Sequence, residues 1–218
     1  MAWFQLDPQS IAARAHTKGC ATSAPTLAAS ISRGVIGFAL VSVAGFSPWA
    51  FFDRWFHRVG EVGLYAACTA VFIGLSGLLL HRLIIGRGSL PRFYKLFSIA
   101  FAAYAIVWIT LWVWLHGNAG SVSGLLGGTV AMGMLLAFAF DAQRSVVKIV
   151  AALFVLNALG YFAGGWVEGK LAIGHRLAGM ILWGVCYGVG FGAGLGIAFY
   201  ICQANARSVM GATSARNG

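Results

Sequence analysis

Two side chains in this sequence are of the types needed for acyl transfer. Ser123 stands at the start of one long apolar run, and His175 stands just before another. A serine hydroxyl beside a neutral imidazole is the minimum for attack on a carbonyl, with the histidine as base and amide donors steadying the oxyanion. Such a pair uses no full charge, so it is compatible with an apolar setting. Asn157 is the one strongly polar side chain near the middle of an apolar run. There it either touches a substrate or makes an interhelical hydrogen bond worth roughly 0.6–2 kcal/mol. The five histidines (His16, His57, His81, His116 and His175) sit in the N-terminal segment or at run boundaries. His81 falls on the opposite side from His57, His116 and His175, which disfavours paired haem ligation. The latter three could be grouped on a metal but read more simply as solvated boundary residues. Cys20, Cys68, Cys186 and Cys202 are far apart, with no C-x-x-C pair to suggest redox or zinc chemistry. The expectation is no metal and no cofactor.

The elements that must position these residues follow from composition. Of 218 residues, 60% are apolar and only 9% charged, whereas a soluble domain carries about 25% charged residues. There is too little polar surface to coat a water-soluble globule. Six runs, at 34–52, 61–80, 93–115, 122–140, 146–167 and 177–201, approach the roughly 20 apolar residues that cross a bilayer as a helix. Lipid cannot satisfy an open backbone, and none of the runs alternates as a barrel strand does, so each is read as a helix. The fold class is all-α: a polytopic membrane protein of six spans. Its domains are an N-terminal tail at 1–32, read as mobile, a membrane domain at 33–203 and a C-terminal tail at 204–218.

Charge orients the bundle. With the N-terminus inside, the inner side holds Arg14, Lys18, Arg33, Arg82, Arg87, Arg92, Lys95, Arg144, Lys148, Arg207 and Arg216, against Arg54, Arg58, Lys170 and Arg176 outside. That bias of eleven to four predicts both termini in the cytoplasm, with the chain in the inner (cytoplasmic) membrane. The net charge of +10 sits at span ends rather than along one polar face, so it suits anionic lipid headgroups and not nucleic acid. The carboxylates Asp53, Glu61, Asp141 and Glu168 also lie at span ends or in loops, which disfavours an ion-coupled pump.

The chain has thirty glycines, and the most regular pattern is in the last span. Gly184, Gly188, Gly192 and Gly196 recur every four residues in the sixth span, a slowly drifting stripe on one helix face. The fourth span offers Ser123 with Gly127, and Gly124 with Gly128. Small residues let helix backbones approach closely and pack by dispersion. The spacing predicts close contact between the fourth and sixth spans, or a glycine face left for self-association or another membrane protein.

Ser121-Val122-Ser123-Gly124 opening the fourth span, His175-Arg176-Leu177-Ala178-Gly179 opening the sixth, and Arg87-Gly88 and Arg92-Phe93 before the third carry a further signal. In these segments and in its six-span order the chain resembles the rhomboid intramembrane serine proteases. The resemblance implies Ser123 as nucleophile and His175 as its base. The pattern departs at Ser121, where that family has glycine, and at Glu61-Val62-Gly63-Leu64-Tyr65, where it has His-x-x-x-Asn. The first reading is therefore a non-enzymatic membrane protein, an accessory or scaffold subunit or a facilitator for a small or lipid-like solute. The alternative is a rhomboid-like protease, active or inactive.

Overall fold

The computed structural model describes residues 4–15, 24–56, 61–171 and 173–216. His16, Lys18, Cys20, His57 and Arg58 lie outside them, as do the side chains of Asp53, Arg54, Glu61 and Arg216. The described residues form eight helices and no strand: α1 (Pro8–Ala15), α2 (Leu27–Phe56), α3 (Glu61–Leu80), α4 (Ser89–Leu115), α5 (Gly117–Ala139), α6 (Val146–Leu171), α7 (Arg176–Cys202) and α8 (Ala204–Arg216). Helices α2 to α7 are each long and apolar enough to cross a membrane. The build is that of a multi-pass membrane protein, its lipid-facing backbone satisfied within each helix.

The six long helices form a ring. Each packs on its neighbours in sequence, and α7 closes the ring against α2. The tight seams are α2–α7, α6–α7 and α4–α5, while α3–α4 and α5–α6 are looser. Glycine explains the tight ones. At Gly192 an added Cβ would meet the Gly34 carbonyl carbon at 2.8 Å, and at Gly188 it would meet Ala39 Cα at 2.6 Å. At Gly160 it would lie 2.6 Å from the Cys186 carbonyl oxygen, which brings the α6 and α7 backbones into contact. Aromatic rings from α2, α3, α4 and α7 fill the middle. Phe93, Phe97 and Phe101 stack along α4 at centroid spacings of 5.1 and 5.4 Å. Trp183, Tyr187 and Phe191 stack along α7 at 5.3 and 5.8 Å.

The glycine faces do not meet as the sequence suggested. Gly124 and Gly128 approach Trp108 and Tyr104 of α4, and Gly127 approaches Val107 and Leu111. The α7 stripe lies on α2 instead: Gly184 approaches Phe46, Gly188 meets Ala39, Gly192 meets Gly34, and Gly196 meets Ser30. Helices α5 and α7 touch only marginally. The reason is steric. Bulky Tyr104 and Trp108 sit over the α5 glycines, whereas α2 presents Ser30, Gly34, Ala39 and Ser42 to α7.

The N-terminal segment, expected as a mobile tail, is partly folded. Leu6, Ile11, Ala12 and Ala15 are buried, and α1 packs on α8. Both terminal segments thus lie at one end of the bundle, as six spans require. Asp7 caps α1 by accepting the Ser10 backbone N–H at 2.9 Å. The Ser10 hydroxyl, helped by the Ser10 backbone N–H, holds the Asp7 carboxyl below its usual value, against burial, which acts the other way. A lowered pKa means the cap contributes fully above the ordinary carboxylate pKa, about 3.9, and is lost as pH falls through the lowered value. Asp7→Ala is expected to weaken α1 by about 1 kcal/mol. The readout is faster amide exchange at Ile11, whose N–H bonds the Asp7 carbonyl at 3.0 Å. The wild type should match the variant only in acid. Equal exchange at neutral pH would dismiss the cap.

Candidate functional site: an aromatic cavity at the α3–α4 seam

At the α3–α4 seam the rings leave a cavity of about 140 Å³. Cys68, Thr69 and Phe72 of α3 line one wall, and Phe101, Tyr104, Ala105, Trp108 and Ile109 of α4 line the facing wall. Phe46, Tyr161, Trp183 and Tyr187 close it from α2, α6 and α7. Burial tells floor from rim. Phe72, Phe101, Tyr104 and Tyr187 are buried, whereas Cys68, Thr69 and Ala105 are half-buried and Ile109 is exposed on the lipid-facing side. The mouth therefore opens sideways between α3 and α4. These helices are held together at the other end of the seam, where the Tyr94 hydroxyl donates to the Gly74 carbonyl.

The walls are rigid because the rings brace one another edge to face. Phe46 meets Trp183 at 4.6 Å and 81°, and Tyr161 meets Trp183 at 5.7 Å and 76°. Such contacts are worth about 0.5–1.5 kcal/mol each beyond area burial. Beneath the floor lies a small polar cluster. Asn157 Nδ2 donates to the Tyr104 hydroxyl at 2.9 Å, and the Tyr104 and Tyr187 hydroxyls stand 3.5 Å apart. Asn157 thus joins α6 to α4 by an interhelical hydrogen bond, with its side chain fully buried and its Oδ1 without a partner. The indole Nε1 of Trp108 is likewise buried and unpartnered. A buried donor without an acceptor costs about 1–3 kcal/mol, which a bound acceptor would recover.

Chemically the cavity is neutral. Its lining contains no ionised side chain, so a charged guest would lose hydration without compensation. Its size resembles the roughly 150 Å³ apolar cavities that stay dry and take a benzene-sized molecule. The arrangement can hold one small neutral ring, and it offers no nucleophile–base pair.

The structure does not join Ser123 and His175 by a hydrogen bond. Ser123 is half-buried on α5. His175 is exposed where α7 begins and makes no side-chain cap. The serine that reaches a neighbouring helix is Ser121, 3.5 Å from the Tyr161 hydroxyl. Sequence reasoning named Asn157 but not its partners Tyr104 and Tyr187, nor Trp108. Tyr104 and Trp108, four apart on α4, and Trp183 and Tyr187, four apart on α7, each mark one helix face. Only the fold turns those two faces toward each other. No group of three or more histidine, cysteine or acidic side chains is placed to hold a metal ion among the described residues. No protein-family model, curated protein or solved structure matches the chain.

Proposed function

We propose that this protein is a non-catalytic binding protein of the inner membrane, with the α1–α8 end in the cytoplasm. In this reading it takes up a small, neutral, lipid-soluble molecule carrying one ring and a hydrogen-bond acceptor. One observation carries it: an aromatic-walled cavity, open sideways at a loose seam, with the unpartnered Trp108 donor in its lining. A lateral mouth suits a guest that arrives through lipid rather than through water. The orientation rests on the excess of Lys and Arg at that end. The glycine faces of α5 and α7 serve to close tight seams within the monomer, so the reading needs no partner helix on them.

The test uses a small neutral aryl diazirine as photolabel in lipid nanodiscs, with labelled residues mapped by mass spectrometry. Labelling of Cys68, Tyr161 and Trp183 is expected to saturate and to be competed by an unlabelled ketone of the same ring size. Ala105→Phe, which fills the rim, should lower that labelling roughly ten-fold, equivalent to 1.4 kcal/mol of binding. Lipid-facing positions such as Ile106 and Leu159 should label as before. Labelling of cavity residues that rises linearly, without competition, would reject a binding site.

A further inference from the structure

The second loose seam, α5–α6, carries a different kind of site, separate from the aromatic cavity. Its outer face is a groove of about 450 Å³ lined by apolar side chains, among them Val130, Met134 and Phe138 of α5 and Val147, Val150 and Phe154 of α6. The lining runs along α5 from Leu126 to Phe138. At 1.5 Å per residue that is about 18 Å, a little over half of a roughly 30 Å hydrocarbon core. One acyl chain of one leaflet has that length.

Where the groove reaches the loop between α5 and α6 it meets a second, polar cleft of about 350 Å³. Asp141, Arg144, Ser145 and Asn205 line this cleft, and Gln143 lines both spaces. Apolar groove and polar cleft are thus joined at one residue, at the depth where a lipid changes from chain to headgroup. The cleft contains one carboxylate and one guanidinium, and among the described residues neither side chain has a hydrogen-bond or ion-pair partner. Lys148, exposed one turn beyond Arg144, adds a second cation nearby.

We propose that this composite site holds one phospholipid with a primary-amine headgroup, a phosphatidylethanolamine. Its acyl chain fills the groove, its phosphate faces Arg144 and Ser145, and its ammonium faces Asp141 and the Asn205 amide. Charge complementarity selects this headgroup. A glycerol headgroup brings the same phosphate to Arg144 but only neutral hydroxyls to Asp141, so it forms no ion pair there. A choline headgroup has no N–H to donate to the Asp141 carboxylate.

The experiment is native mass spectrometry of the full chain released from nanodiscs of equal phosphatidylethanolamine, phosphatidylglycerol and phosphatidylcholine. The wild type is expected to retain one lipid, ethanolamine over the other two by roughly ten-fold, or 1.4 kcal/mol. Asp141→Asn should bring ethanolamine retention down to that of choline, and Arg144→Gln should reduce retention of all three. Val150→Trp, which blocks the groove, should abolish retention while the helical circular dichroism is unchanged. Equal retention of the three lipids by the wild type would mean annular lipid only and overturns the proposal. So does preference for phosphatidylglycerol, which would indicate a plain basic patch. An Asp141→Asn protein that keeps the ethanolamine preference, or a dimer whose formation displaces lipid from the groove, also overturns it.

Discussion

Gly192→Ala is expected to destabilise the bundle, although alanine is the better helix former by about 1 kcal/mol. The added methyl would meet the Gly34 carbonyl carbon at 2.8 Å and Phe38 Cβ at 3.0 Å. Gly34 offers only backbone there, which cannot rotate aside, so α2 and α7 must separate. Overpacking of this kind typically costs 1–3 kcal/mol, which outweighs the propensity gain. Separation would also disturb Gly188 and Gly196, which sit on the same α2 face against Ala39 and Ser30. The matched control is Gly74→Ala, where a Cβ meets nothing within 4 Å. Gly74→Ala should leave the thermal midpoint in detergent unchanged or raise it, while Gly192→Ala lowers it and Gly192→Leu prevents recovery of folded protein. If the two alanine variants melt alike, close approach of α2 and α7 at Gly192 is refuted.

How much of this could be read from the sequence depends on the kind of information each feature needs. The six spans were legible because each is a local property, a run of apolar residues in a chain whose lipid-exposed backbone has no alternative to helix. A glycine at every fourth position is also local, and it tells that a neighbour can come close without telling which neighbour. Gly192 has its counterpart in Gly34, which lies 158 residues away by number and only one helix away in the ring. The burial of α1 was hidden because its apolar residues are few. Leu6, Ile11 and Ala15 stand among serine, arginine and alanine, and only contact with α8 makes them a core. The aromatic cavity was the least legible feature. Its walls come from five helices, and no spacing along the chain relates Phe46 to Tyr161 or Trp183.

The ring gives these separate features a common cause. Five of its six seams join helices consecutive in sequence, and the sixth joins the last span to the first. Small residues close α2–α7, α6–α7 and α4–α5, and of the three other seams α3–α4 and α5–α6 are the loosest, so the side chains that need room gather at those two. One of those is filled by rings around a neutral cavity, the other is left as an oily groove ending in charge. Both candidate sites therefore lie where the ring is loosest. The centre tolerates Asn157 because its amide reaches from α6 across the ring to the Tyr104 hydroxyl of α4 at 2.9 Å, so burial leaves only its Oδ1 unmatched.

Gln203→Leu should unfasten the end of the bundle at which α7 gives way to α8. Gln203 is 2% exposed, yet its amide is nearly saturated. Nε2 donates to the Leu83 carbonyl at 2.8 Å and to the Phe199 carbonyl at 2.9 Å, while Oε1 accepts the Ile85 N–H at 2.8 Å. One side chain thus ties the turn after α3 to the last turn of α7, about 120 residues apart along the chain. Leucine has nearly the same size and fits the apolar surroundings, so no cavity follows. What it removes is the side chain that bonds Leu83 O and Ile85 N across this junction. Phe199 keeps its bond from the Gln203 backbone N–H at 3.3 Å. Each orphaned buried group costs about 1–3 kcal/mol, and two of them are a large part of the marginal stability of a typical domain. Gln203→Glu, measured at alkaline pH where it is ionised, separates shape from donation, because a carboxylate can still accept from Ile85 but cannot donate to Leu83 and buries charge. It should fare no better than leucine. The measurements are the thermal midpoint and protease cleavage between Leu83 and Gly88, which α1 also covers through Arg14 against Gly86. Both variants should melt lower and be cut faster there, with cleavage in the loop between α5 and α6 unchanged. An unchanged midpoint for Gln203→Leu would show that water satisfies Leu83 and Ile85 as well as the amide does, and that this end of the ring is held by apolar packing alone.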